Sequence, residues 1–167
     1  MKNKRLALLF VCLTTFSLLI PSACGWLPKI HILSDPLTKE EHLSLALSYE
    51  NDGELDIAQR EYRAALPLPT AYLGLGNVLY QKGEAGRALR HWRAAWRSGR
   101  LPAAANNVAW VLLLDGGSLD EAEEMAAQAV QEAQNQGLEQ ATIDNYLSTL
   151  KQIRAAITAS RKAAEGI

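Results

Sequence analysis

Catalysis needs a nucleophile with its base, a pair of acid–base groups, a set of metal ligands or a phosphate cradle. This sequence offers none of them in a workable spacing. His31, His42 and His91 are scattered, with no metal-ligand interval between them, so each reads as a packing or surface histidine. Gly74-Leu75-Gly76 lies within a helical stretch and follows no strand, which rejects a dinucleotide loop. Adjacent acids such as Glu123 and Glu124 read as a solvated helix face. No cofactor, no metal and no enzymatic activity are expected.

Two groups of residues point to binding. Arg87, Arg90, Arg93, Arg97 and Arg100 recur every three or four residues, a basic stripe on the helix that carries Trp92 and Trp96. Two readings stand: a solvated face whose arginines pair with Glu123, Glu124 and their neighbours, or a contact through Arg90, Arg93 and Arg97 for an acidic partner or anionic headgroups. The second group is the side-chain amides Asn77, Asn106 and Asn107. An amide both donates and accepts, so it can satisfy both faces of a peptide backbone.

These residues have to be positioned by helices. The stretch from Thr70 to Gly99 reads as two helices joined by a turn at Gly83, with Tyr72-x2-Leu75-Gly76-x2-Leu79 on the first and Ala88-x3-Trp92 on the second. That spacing resembles a tetratricopeptide repeat (TPR), in which alternating large and small residues let two antiparallel helices sit close together. One such hairpin cannot bury its own apolar face and needs neighbours. On one side are His42-x2-Leu45-Ala46-x2-Tyr49, a turn at Asp52-Gly53, and Ala58-x3-Tyr62 with Ala65; on the other are Ala105-x2-Val108-Ala109-x2-Leu112, Gly116-Gly117, and Ala122-x3-Ala126 with Ala129. The alanines Ala58, Ala88 and Ala122 are 30 and 34 residues apart, and Gly53, Gly83 and Gly117 repeat both intervals. Thr38-Lys39-Glu40-Glu41 and Ser118-Leu119-Asp120-Glu121 have capping-box spacing. Pro67 and Pro69 stop the second helix of the first repeat early.

A last helix after Gly137 places Ile143, Leu147, Leu150, Ile153 and Ile157 on one face, as a cap for the stack. The expected fold is therefore all-α: a TPR-like α-solenoid of three helix-turn-helix repeats over residues 39–137, then a capping helix over 138–164. As the middle of the stack, the hairpin at 70–99 should bury Gly76, Ala88 and Trp92 deeply.

The chain begins with Lys2, Lys4 and Arg5, then a 15-residue apolar run from Leu6 to Ile20, then small residues. This is the layout of a secretory leader over residues 1–23, shorter than the ~20 apolar residues a spanning helix needs. Pro21-Ser22-Ala23-Cys24-Gly25 resembles the lipobox of bacterial lipoproteins, departing from it at Pro21, where that family usually has Leu. The resemblance implies cleavage before Cys24, a diacylglycerol on its thiol and acylation of the new amine. Gly25, in place of the Asp that retains such proteins in the inner membrane, implies the outer membrane, facing the periplasm. Since the other cysteine, Cys12, lies in the leader, the mature chain would hold no disulfide. Residues 24–38 read as a lipidated tether interrupted by Pro28 and Pro36, with Trp26 either at the lipid interface or folded onto the first helix. Net charge falls from −1 (17 − 18) to −4 (14 − 18) without the leader, which argues against nucleic acid.

The TPR resemblance also implies a site. In that family the first helix of each repeat lines a concave groove that holds a peptide, which here puts Leu47, Glu50, Asn77, Tyr80, Asn106, Asn107 and Trp110 on its wall. The bland alternative is that most of them pack or face water. Leu43 and Leu73 stand where some members carry a lysine that clamps a terminal carboxylate, so C-terminal capture is not expected. Residues 35–77 also look like the TPR tail of C39-like peptidase proteins, without the peptidase part. The expected function is a scaffold or assembly factor, lipid-anchored in the envelope, binding a protein or peptide; the alternatives are an accessory of a C39-like peptidase system and a pilotin-type chaperone for pilus or secretin assembly.

Overall fold

A computed structural model describes residues 35–166. The leader, Cys24 and most of the tether lie outside the described residues. Seven helices and no strand occur within them: α1 (Lys39–Asn51), α2 (Leu55–Ala64), α3 (Pro69–Gln81), α4 (Ala85–Gly99), α5 (Pro102–Leu114), α6 (Leu119–Asn135) and α7 (Gln140–Ala164). They form an all-α, TPR-like solenoid. α1–α2, α3–α4 and α5–α6 are hairpins, α2, α4 and α6 each pack on the helix that follows, and α7 closes the stack against α6 and α5.

Local chemistry sets the helix ends. Thr38 and Glu41 form the full capping box that starts α1, with Thr38 N–H donating to Glu41 at 2.7 Å and Glu41 N–H to the Thr38 hydroxyl at 3.2 Å. The box expected at Ser118 is only half made. Ser118 Oγ accepts from Glu121 N–H at 3.2 Å, but the Glu121 carboxylate is turned to Arg93 of α4 instead. Prolines act as starts as well as stops: Pro69 and Pro102 lie in the first turns of α3 and α5, where a missing N–H has no consequence.

Each of the four turns after α1, α3, α5 and α6 carries a glycine with positive φ: Gly53, Gly83, Gly116 and Gly137. In each, the following N–H reaches back five residues to a carbonyl, as Glu54 does to Tyr49 and Glu84 to Leu79. This is the Schellman closure, which requires a left-handed residue at that point. The third turn therefore uses Gly116, not the expected Gly117. Gly117 is the extra residue, and its N–H closes the turn on Leu112 at 2.8 Å.

The core is a spine of small residues between large ones. Ala46, Ala58, Ala88, Ala109, Ala122 and Ala126 are fully buried, and Tyr62, Leu75, Leu79 and Val108 fill the space they leave. Trp92 is 2% exposed. Gly74 and Gly76 are where α2 and α4 come close to α3: a β-carbon would meet the Tyr62 ring at the first and the Trp92 indole at the second.

On α7 the buried stripe is rotated from the expected one. Ile143, Tyr146, Leu150 and Ile153 are buried, and Leu147 is 41% exposed. Intervals of three and four between Ile143 and Leu150 admit both 146 and 147; Tyr146 takes the core slot because it lies seven residues before buried Ile153, on the same face, whereas 147 is about 100° further round the helix.

Candidate functional site

The same face of successive first helices turns inward. α3 presents Asn77, Tyr80 and Gln81; α5 presents Asn106, Asn107 and Trp110; α7 presents Asn145, Ser148, Thr149 and Gln152. In each set the members are one, three or four residues from their neighbours, the intervals that share a helix face. Two adjoining cavities result. The first, about 230 Å³, is lined by Glu50, Asn77, Tyr80, Gln81, Trp92, Asn107, Trp110 and Val111. The second, about 250 Å³, has Asn106, Asn107 and Trp110 on one side and the α7 residues on the other. Shared Asn107 and Trp110 join them into one groove crossing α1, α3, α5 and α7.

Of the seven wall residues expected from the sequence, Glu50, Asn77, Tyr80, Asn107 and Trp110 meet in the first cavity. Asn106 lies in the second, and its Oδ1 is buried with no hydrogen-bond partner among the described residues. Leu47 lines neither cavity and is 50% exposed on α1, the first helix of the described residues, with no further repeat among them to face it. A capping role puts the polar side of α7 on the outside of the stack, whereas Asn145, Ser148, Thr149 and Gln152 line the groove. The apolar stripe marks the helix as a cap, yet Ser148-Thr149-x2-Gln152 on another of its faces repeats the spacing of Asn106-Asn107-x2-Trp110.

Hydrogen-bond roles in the groove follow from one donor. The indole Nε1–H of Trp92 can only donate, and it donates to Asn77 Oδ1 at 3.0 Å. That fixes the amide orientation of Asn77. Asn107 Nδ2 donates to the same oxygen at 3.1 Å, joining α3 to α5. Among the described residues, Asn77 Nδ2 and Asn107 Oδ1 then have no partner, so the groove offers a donor and an acceptor side by side. Tyr80 packs on Trp92 with ring centroids 5.6 Å apart and is 39% exposed, giving an aromatic wall beside the amides.

Glu50 closes the α1 end. The hydroxyl of Tyr62 donates to Glu50 Oε2, and Gln81 Nε2 donates to Oε1 at 3.3 Å. Burial, then the hydrogen bond and charge of Glu50, pushes the Tyr62 hydroxyl well above the usual tyrosine range, so it stays a donor.

The arginine stripe is mostly spent inside the fold. Arg93 bridges α4 to α6 through Glu121 at 2.6 Å, not through Glu123 or Glu124. Glu123 is taken by Arg154 of α7 at 2.7 Å and Glu124 by Gln128. Arg87 pairs with Glu84, and Arg100 lies 3.8 Å over the Trp96 ring, a cation–π contact. Trp92 and Trp96 are buried, and the face of Trp96 that meets the stripe is covered by Arg100. Arg90 and Arg97 remain on the exposed convex side.

His31 lies outside the described residues; His42 and His91 have local roles. His42 Nδ1 lies 2.7 Å from Glu61 Oε2, and His91 stacks on Tyr72 with centroids 6.2 Å apart. Burial, with Arg87, Arg90 and Arg63 nearby, holds His91 below the usual histidine range. No cluster able to hold a metal occurs among the described residues, and no helix there is long and apolar enough to cross a membrane.

Fold and groove together define an α-solenoid of the TPR-like kind with a polar, aromatic-walled concave face. No protein-family model and no curated protein sequence matches the chain. Solved structures do. PcrH from Pseudomonas aeruginosa superposes with a TM-score of 0.64 at 23% identity, covering 77% of this chain and 99% of its own. PcrH in complex with the chaperone binding region of PopD gives 0.65 at 23%, covering 72% and 96%. The type III secretion translocator chaperone SycD from Yersinia enterocolitica gives 0.64 at 22%, covering 71% and 85%. At these identities the likeness is one of fold.

Proposed function

We propose that this chain is a protein-binding scaffold of chaperone type, whose groove across α1, α3, α5 and α7 holds an extended segment of a partner protein. Its activity is binding, not catalysis. The observation that carries this reading is the indole-anchored Asn77, which leaves a free amide donor beside a free amide acceptor on Asn107 in a concave, aromatic-walled site. A peptide backbone needs that pair of groups at every residue. The fold shared with PcrH, a protein seen with the chaperone binding region of PopD, supports the same reading. It also favours a chaperone for assembly over an accessory to a C39-like peptidase, which rests on one stretch of sequence. Asn77→Ala, Tyr80→Ala and Trp110→Ala variants should lose partner proteins in pull-downs while keeping their helical circular dichroism. Undiminished recovery would sink the groove.

The reading includes an address. Pro21-Ser22-Ala23-Cys24 supports anchoring by lipid on Cys24, and Gly25 supports outer-membrane location facing the periplasm, with an envelope protein as the partner. Two acyl chains anchor stably, and confinement to a membrane raises the local concentration of partners there. A fatty-acid label should mark the wild-type chain and not Cys24→Ser; equal labelling of both would remove the anchor from the account.

A further inference from the structure

The groove has one ionised wall residue. Both cavities are lined by amides, hydroxyls, aromatics and Val111, and only Glu50 brings a charge. Elsewhere in the chain carboxylates near basic residues are paired: Asp56 with Lys82, Glu84 with Arg87, Glu121 with Arg93, Glu123 with Arg154. Among the described residues no lysine, arginine or histidine pairs with Glu50. Its two contacts come from neutral donors, the Tyr62 hydroxyl and the Gln81 amide. They fix the carboxylate in place and leave lone pairs open, since a carboxylate offers about four acceptor sites. Tyr62 is fully buried, so the support beneath Glu50 is rigid. A half-buried anion held by neutral donors and open to a groove attracts a cation.

We infer that Glu50 is a cation-selecting subsite: the segment held in the groove sets a lysine or arginine side chain against Glu50 while its backbone meets Asn77 and Asn107. This rests on the binding reading above and adds its specificity. Position along the segment follows from the layout. Neighbouring helices sit about 8–10 Å apart, so α1 to α7 is roughly 25–30 Å, the reach of some eight extended residues. Glu50 is at one end of that span and the α5–α7 cavity at the other. The basic residue therefore belongs near one end of the bound segment, followed by uncharged residues that suit Tyr80, Trp110 and the amides of α7. Buried Asn106 Oδ1 asks for a donor toward the far end.

The test is panning of a displayed library of random twelve-residue peptides on the full-length chain. Enriched peptides should share a lysine or arginine at one fixed position. Glu50→Gln keeps the shape and one acceptor oxygen, and should weaken such peptides roughly tenfold or more, as expected when a hydrogen bond to a charged group is lost. Replacing the peptide lysine by norleucine should weaken binding to the unaltered chain as much, which keeps the test informative should Glu50→Gln fold poorly. Combining the two changes should cost little more than either. Peptides that need Asn77 and Trp110 but share no basic position, or that bind Glu50→Gln as tightly, would overturn the cation subsite and leave the groove standing. A library yielding no peptide sensitive to Asn77→Ala or Trp110→Ala would overturn both.

Discussion

Replacing Gly76 with alanine tests how the groove floor is built. In a helix interior that change ordinarily gains up to ~1 kcal/mol, because glycine gives up more backbone freedom on folding. Here the added methyl falls inside the contact distance of Trp92 Cδ1 and Nε1. Trp92 has nowhere to go: it is 2% exposed, packed on Tyr80 and bonded to Asn77. Overpacking of this kind costs about 1–3 kcal/mol, and pulling the indole N–H off Asn77 in a buried setting costs about 1–3 kcal/mol more. Less the helix gain, the net loss is about 3 kcal/mol, roughly a 10 °C fall in Tm for a domain of this size. Gly86 supplies the control, since it lies in the first turn of α4 with open space around it, and Gly86→Ala should gain about 0.5 kcal/mol. Urea unfolding followed by circular dichroism and tryptophan fluorescence reads both. A Gly76→Ala chain as stable as Gly86→Ala would refute the packing of α4 on α3 described above.

Other residues give separate outcomes. Asn77→Ala should cost about 1–3 kcal/mol by leaving the Trp92 indole without an acceptor, whereas Asn77→Asp keeps the acceptor and should hold Tm close to wild type while losing partner binding; equal loss of stability in both would contradict the assigned amide orientation. The raised Tyr62 sets a pH dependence: the folded state keeps the proton longer than the unfolded chain, so its contribution to stability is whole below about pH 10 and is lost as pH rises toward the folded value. Denaturation curves between pH 8 and 11 should show that decline in wild type and a shallower one in Tyr62→Phe, Tyr146 being raised too, by burial. A double-mutant cycle on Arg93 and Glu121 should give a coupling of about 0.5–1 kcal/mol for this half-exposed pair, against a change within about 0.5 kcal/mol for Arg97→Ala.

What the sequence revealed and what it hid divide along physical lines. Repeats were legible because close helix packing demands a small residue opposite a large one at fixed intervals, as Gly74 against Tyr62 and Gly76 against Trp92 show. The first cavity was largely legible too, since five of its lining residues follow from counting along α1, α3 and α5. Distances across helices were not. Whether Glu121 caps its own helix or reaches Arg93 depends on a neighbour 28 residues away. The third turn misled for a local reason: of two adjacent glycines, conformation and not identity decides which closes the helix, and only Gly116 has positive φ of the pair. On α7, Tyr146 and Leu147 are both apolar enough for the core, and the fit against α6 chooses between them. The interval from Ala88 marks Trp92 as packing, and its ring also floors the groove and orders Asn77.

The central claim, that the concave face and not the convex one meets the partner, is tested most directly by site-specific photocrosslinking in cells. A photoreactive phenylalanine analogue at Tyr80 or Trp110 probes the groove, and the same analogue at Arg97 probes the convex side. Adducts with a common partner are expected from Tyr80 and Trp110 and none from Arg97. Adducts with that partner from Arg97, with none from the two groove positions, would contradict it.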